Sequence, residues 1–131
     1  MHEFISAGVA GFFLEDQVFP KRCGYTKGWR LFPISEAVAK YRAAVAERDR
    51  LGPDVVVIAR TDTRAAISSG LDEVLRRCEA YLGAGVDMLM VMALQSREEM
   101  RRVVDAFPGA DVINASSIRP ALSDAEYVEM G

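Results

Sequence analysis

Four short, largely apolar runs recur along the chain, Ala10–Leu14, Val55–Ala59, Met88–Met92 and Asp111–Asn114, each bounded by glycine, proline or a charged residue. Their apolar positions are consecutive rather than alternating, which is the pattern of strands covered on both faces in a parallel sheet. Between them lie stripes at helical spacing: Val38, Tyr41 and Val45 after Ser35; Leu71, Val74, Leu75, Cys78 and Leu82 after Ser69; and Met100, Val103, Val104 and Phe107. Ser96 to Glu99 and Ser123 to Glu126 fit the capping box, in which two side chains satisfy the orphan amides that open a helix. Ala7-Gly8-Val9 and Ala84-Gly85-Val86 place a glycine between helix and strand, where a left-handed turn reverses the chain. Repeated βα units of this kind predict an α/β fold with a parallel sheet.

A doubly wound sheet with a nucleotide site would carry a glycine-rich loop after its first strand. Neither G-x-G-x-x-G nor G-x-x-x-x-G-K-[ST] occurs, so a barrel is favoured. In such barrels the working residues sit where strands end and βα loops begin. Here those ends read Glu15-Asp16-Gln17, Arg60-Thr61-Asp62, Met92-Ala93-Leu94 and Asn114-Ala115-Ser116-Ser117. A full (β/α)8 barrel takes about 250 residues and eight strands, whereas this chain has 131. The expectation is therefore one partial domain over residues 1–131, about half of a TIM-type barrel made of four central-to-late βα units. The opening residues read as the end of a helix that follows an earlier strand, which places the N-terminal strands outside the chain. Four strands left open would expose two unpaired edges, an invitation to self-association.

The balance of charge narrows the partners. Sixteen basic against nineteen acidic residues give a net charge of -3, and the one basic cluster, Arg97, Arg101 and Arg102, shares its helix with Glu98 and Glu99. No nucleic-acid surface is expected from this. No apolar run approaches the roughly 20 residues that span a bilayer, and Met1-His2-Glu3-Phe4 lacks the basic start and apolar core of a secretory signal. A cytoplasmic protein with a small-molecule partner and no membrane partner is the expectation. In that compartment Cys23 and Cys78 are not expected to form a disulfide.

Several residues could carry chemistry. Glu15 and Asp16 close an apolar strand, and carboxylates so placed bind a hard cation such as Mg²⁺ directly or through water, or else merely start a loop. Cys23 lies in the Asp16–Pro33 connection, far longer than the usual βα loop of about 2–6 residues. Loops of that kind over a barrel mouth act as lids. Flanking Lys21 and Arg22 would stabilise a thiolate there; a bland surface thiol is the alternative. Arg60 suits a substrate carboxylate or phosphonate, or a structural ion pair with Asp62 or Glu15. Asn114, Ser116 and Ser117 could bind a second carboxylate or simply cap a turn. Cys78, on an apolar helix stripe, reads as a packed core thiol, and Met88, Met90 and Met92 read as core. His2 is the only histidine and sits at the terminus, which removes any Ser-His-Asp or histidine-metal arrangement.

The segment Gly11–Gly24, GFFLEDQVFPKRCG, resembles the signature of the isocitrate lyase and phosphoenolpyruvate mutase superfamily, in which E-D-Q is followed by K-[KR]-C-G-H. Ile58–Asp62, IARTD, is similar to the family's next strand end, and the short gap from Glu15 to Cys23 looks like the methylisocitrate lyases. The resemblance implies a Mg²⁺-dependent cleavage, or reverse condensation, of a C–C bond beside a 2-oxo acid. It implies Glu15 as holder of a metal-bound water, with Asp16 a weaker outer contributor. Arg60, Asn114 and Ser116 would bind substrate carboxylates. Cys23 would be the acid and base on the closing loop formed with Lys21, Arg22 and Gly24. Two positions depart from the pattern: the histidine after C-G is Tyr25, and a glutamate common at the following strand end is Met92. The aspartates that ligate the metal directly in the family have no counterpart in this chain. Two further readings follow, a phosphonate mutase or hydrolase or 2-oxo acid decarboxylase of the same superfamily, and a non-catalytic half-barrel that assembles with a partner or as a homo-oligomer.

Overall fold

The computed structural model describes residues 1–23, 28–66, 70–115 and 118–130. The elements run α1 (His2–Ser6), β1 (Gly11–Glu15), α2 (Ile34–Leu51), β2 (Val56–Thr61), α3 (Thr63–Ala66), α4 (Leu71–Leu82), β3 (Met88–Met92), α5 (Arg97–Ala106), β4 (Asp111–Ala115) and α6 (Asp124–Met130). The four strands form one parallel sheet in the order β1-β2-β3-β4. This is the expected α/β architecture, the open arc of a TIM-type barrel. No helix among the described residues is long and apolar enough to cross a membrane.

Because side chains alternate across a strand, the register sorts them into two faces. Val57, Ala59 and Thr61 of β2 and Leu89 and Val91 of β3 are buried under the helices. The helices answer with stripes of their own: Ala37, Tyr41, Ala44 and Arg48 of α2; Leu71, Val74, Cys78 and Tyr81 of α4; Met100 and Val103 of α5. On the other face Phe13, Ile58, Met88 and Met90 stand in one register and are covered less completely; Phe13 is 47% exposed. That face is the barrel's inner wall.

Only the second predicted capping box closes in both directions: the Ser123 amide donates to Glu126 Oε2 at 2.8 Å and the Glu126 amide to Ser123 Oγ at 3.4 Å. At the first, Ser96 Oγ accepts from the Glu99 amide at 3.1 Å, but the Glu99 carboxylate is drawn to Arg64 and accepts from the Gln95 amide instead, at 2.9 Å. Gly8 and Gly85 take the left-handed conformation, with φ of 79° and 91°. At the N-terminal end of the sheet Arg48 of α2 donates to Asp87 Oδ2 at 2.6 Å and to the Val55 carbonyl at 3.3 Å, while the same Asp87 oxygen accepts from the Val57 amide at 2.7 Å. This clamp ties a helix end to the entries of β2 and β3, at the end of a barrel that serves stability.

The core also carries acids that stay neutral. Burial pushes the Cys78 thiol up to about 12, with the nearby Asp16 charge adding to it. Burial first, then the same charge, holds the Tyr41 and Tyr81 hydroxyls well above the ordinary phenol range. In the unfolded chain these groups ionise from their ordinary values of 9.0 and 10.0. The folded state therefore binds more protons above pH 9.0, and stability falls with rising pH. We expect the urea midpoint to decline progressively from pH 9.0 to about 12, and Cys78→Val to flatten the first part of that decline. A midpoint indifferent to alkali would contradict the neutral core.

Candidate active site

Two charged side chains meet on the inner wall at the C-terminal end of the sheet. Glu15 and Arg60, the expected strand-end residues, lie within β1 and β2 and are register partners, because both strands run one or two residues past the apolar run. Arg60 Nε lies 3.4 Å from Glu15 Oε2, and Lys21 Nζ lies 3.1 Å from Oε1. These are ion-pair distances without hydrogen-bond alignment: among the described residues neither Glu15 oxygen, both buried, accepts an aligned hydrogen bond. The carboxylate is thus neutralised by two cations but keeps lone pairs free for a further donor. Arg60 spends Nε and Nη2 on Asp62, at 3.2 and 3.0 Å, and its guanidinium stands 5.7 Å from the Phe13 ring centre. Both ion pairs named as alternatives for Arg60 are therefore present, and no described residue accepts from its Nη1.

Asp16 points the opposite way, into the helix-facing core, as its odd-even relation to Glu15 requires. Its Oδ2 accepts from Thr61 Oγ1 at 2.7 Å, Tyr81 Oη at 2.8 Å, Arg77 Nη1 at 3.3 Å and Thr63 Oγ1 at 3.5 Å; its Oδ1 accepts from the Asp62 amide at 3.1 Å. Arg77 is held in turn by Tyr81 Oη and by Glu73, at 3.0 Å each. A carboxylate so fully engaged acts on its neighbours' positions. Arg77 and Tyr81 escaped the reading of the sequence. The available signal was an arginine and a tyrosine four apart, flanking the apolar stripe of α4, a placement that calls for a buried anion.

The long connection leaves the sheet through a short antiparallel bridge. Gln17 pairs with Leu31, the Val18 amide donates to the Arg30 carbonyl at 2.8 Å, and the Phe32 amide donates to the Asp16 carbonyl at 2.9 Å. Beyond this root, Gln17 reaches the main chain of Arg22, and Cys23 follows on the exposed surface, its carbonyl accepting from Trp29 Nε1 at 3.2 Å. A cavity of about 310 Å³ opens at β1, lined among others by Phe13, Glu15, Phe19, Lys21 and Phe32. Glu15, Lys21 and Arg60 are thus gathered at one place. Asn114 is not: it shares the helix-facing register of Val91 and donates to Tyr127 Oη of α6 at 3.2 Å. Gly24 and Ser116, and with them Tyr25 and Ser117, lie outside the described residues. At the end of β3, Ala93 takes a φ of 61°, a left-handed conformation that costs a non-glycine residue energy.

The acidic residues fit a metal in one limited way. The two buried oxygens of Glu15 suit the hydration shell of a hard cation, which keeps several of its waters. No group of three or more potential ligands clusters among the described residues, so these residues do not form a complete coordination sphere.

Comparison with known proteins agrees with this geometry. Residues 1–131 match the family described as phosphoenolpyruvate phosphomutase. The chain is 38% identical to 2,3-dimethylmalate lyase of Eubacterium barkeri, covering 100% of this chain and 45% of that protein. It is 36% identical to 2-methylisocitrate lyase of Bacillus subtilis, covering 98% and 42%. Among solved structures, oxaloacetate acetylhydrolase bound to 3,3-difluorooxalacetate superposes with a TM-score of 0.88 at 32% identity, over 98% of this chain and 44% of that one. 2,3-Dimethylmalate lyase, a PEP mutase/isocitrate lyase superfamily member, gives 0.86 at 37% identity, over 98% and 43%. Phosphonopyruvate hydrolase, in complex with oxalate and Mg²⁺, gives 0.79 at 29% identity, over 98% and 44%. The chain spans under half the length of these relatives. With all of residues 1–131 covered by the family, this chain is a member of the phosphoenolpyruvate mutase and isocitrate lyase family.

Proposed function

We propose that this chain serves a carbon–carbon lyase that cleaves a 2-hydroxy acid of the methylisocitrate or isocitrate kind to a 2-oxo acid and a succinate-like product, or runs the reverse condensation. The observation that carries this reading is the Glu15–Arg60 pair on the inner wall, with Glu15 oxygens that accept no aligned hydrogen bond among the described residues. Arg60, fixed by Asp62, would hold a substrate carboxylate through its remaining donors. The 2-hydroxyl loses its proton to water as its oxygen becomes the carbonyl of the 2-oxo acid, cleavage leaves the bond's electron pair on the succinate-like fragment, and the Cys23 thiol would give its proton to that carbon, each transfer reversing in condensation. Mg²⁺, when bound, would supply Lewis-acid stabilisation of the negative charge on the oxygen that becomes the 2-oxo acid's carbonyl, with Glu15 accepting from its hydration shell.

The open inner wall also supports an assembly: Phe13 stands 47% exposed among half-buried apolar neighbours, and β1 and β4 each have an edge with no strand partner among the described residues. A homo-oligomer would cover it. Both proposals meet in one experiment, in which a sample whose molar mass has been read by light scattering is offered 2-methylisocitrate, isocitrate and a phosphonate in Mg²⁺. We expect pyruvate or glyoxylate with succinate, from a species heavier than one chain. Orthophosphate released from the phosphonate would replace the lyase by a P–C bond enzyme, and a monomer would remove the assembly.

A further inference from the structure

One buried carboxylate holds two parts of this site at once. Asp62 is fully buried and receives both Arg60 Nε and Nη2. Its Oδ2 also receives Gln17 Nε2 at 3.3 Å. The same glutamine amide faces the main chain of Arg22 in both directions: Oε1 accepts from the Arg22 amide at 3.0 Å, and Nε2 donates to the Arg22 carbonyl at 3.2 Å. Its two N–H groups and its oxygen are thereby all used, which only an amide at this position achieves. A carboxylate could not donate, and a side chain one methylene shorter would not span the gap. Gln17 is 5% exposed, and the Asp62 amide is itself fixed by Asp16 Oδ1. Neither end of the link can swing.

We propose that Gln17 and Asp62 are positioning residues that lock the Arg22 main chain, and with it the adjacent Cys23, to the guanidinium of Arg60. The thiol-bearing loop and the carboxylate-binding arginine then keep one relative placement before substrate arrives, the condition for a proton donor to act on a fragment held elsewhere. The idea rests on the roles given above to Cys23 and Arg60.

Amide exchange followed by NMR tests it without turnover. In the unaltered protein the Arg22 amide should be protected. Gln17→Met, similar in volume but without the amide, should lower that protection at least about tenfold while the β2 amides keep theirs. Gln17→Glu keeps an acceptor for the Arg22 amide but sets a second carboxylate against Asp62 Oδ2 in place of a donor, so the link to Asp62 should part and protection fall at neutral pH, then recover as the acid protonates and donates again, a pH signature that simple space-filling would not produce. In turnover, Gln17→Met should lower kcat with KM little changed, since Arg60 keeps Asp62. An Arg22 amide that exchanges freely in the unaltered protein overturns the coupling even if the variants fail to fold, as does unchanged protection in Gln17→Met. Retained turnover in Cys23→Ser would instead overturn the role of the thiol, so the two failures are distinguishable.

Discussion

Asp16→Ala is expected to cost about 3–5 kcal/mol of folding stability, the range for removing one partner of a buried ion pair. The carboxylate is 1% exposed and is the common acceptor for Thr61, Tyr81, Arg77 and the Asp62 amide. Its loss leaves a guanidinium that is 5% exposed and three buried hydroxyls, of Thr61, Thr63 and Tyr81, without their anion. Glu73 still holds Arg77 Nε, which sets the loss towards the lower end. Against a typical domain stability of about 5–15 kcal/mol, the loss is a large fraction. Asp16→Asn keeps one acceptor oxygen, and the hydroxyls can turn to accept from its amide, so the loss should be smaller. Urea unfolding followed by circular dichroism would measure both. A loss under about 1 kcal/mol for the alanine variant would mean the network contributes little to the fold.

The second large effect falls on turnover. Cys23→Ser should lower lyase activity by about 10²–10⁴-fold, the usual worth of a positioned acid or base, because a serine hydroxyl is a far weaker acid than a thiol. Its stability should be unchanged, since Cys23 is exposed. Cys78→Ser should do the reverse, burying a hydroxyl in an apolar site at a cost in stability. Steady-state rates beside unfolding curves would separate the two cysteines. Activity of Cys23→Ser within tenfold of the unaltered protein would remove the thiol from the reaction.

The sequence made much of this legible, for identifiable reasons. Strands covered on both faces leave continuous apolar runs, and capping boxes and post-helix glycines have local chemistry that tertiary context rarely overrides. The strand ends were read short by one or two residues because Glu15, Arg60 and Thr61 are polar residues still in the ladder, paired by backbone rather than by hydrophobicity. The division of labour between Glu15 and Asp16 follows from alternation alone, yet which of them faces inwards depends on register, and register is set by Tyr41, Arg77 and Tyr81 reaching across from α2 and α4. Such links join residues up to 65 positions apart, as Asp16 and Tyr81 are, and no local pattern announces them. Asn114 shows the converse: its motif suggested the site, and its strand parity turns it towards α6.

The bridge at the root of the long connection has a consequence for how such a chain can diversify. With Asp16 to Phe32 and Val18 to Arg30 already closed, residues added farther out change only the entropy of a loop whose ends are pinned. Doubling its length costs only about 0.6 kcal/mol. Insertions and deletions there are thus nearly neutral for the fold, while the strand-end charges beneath stay fixed.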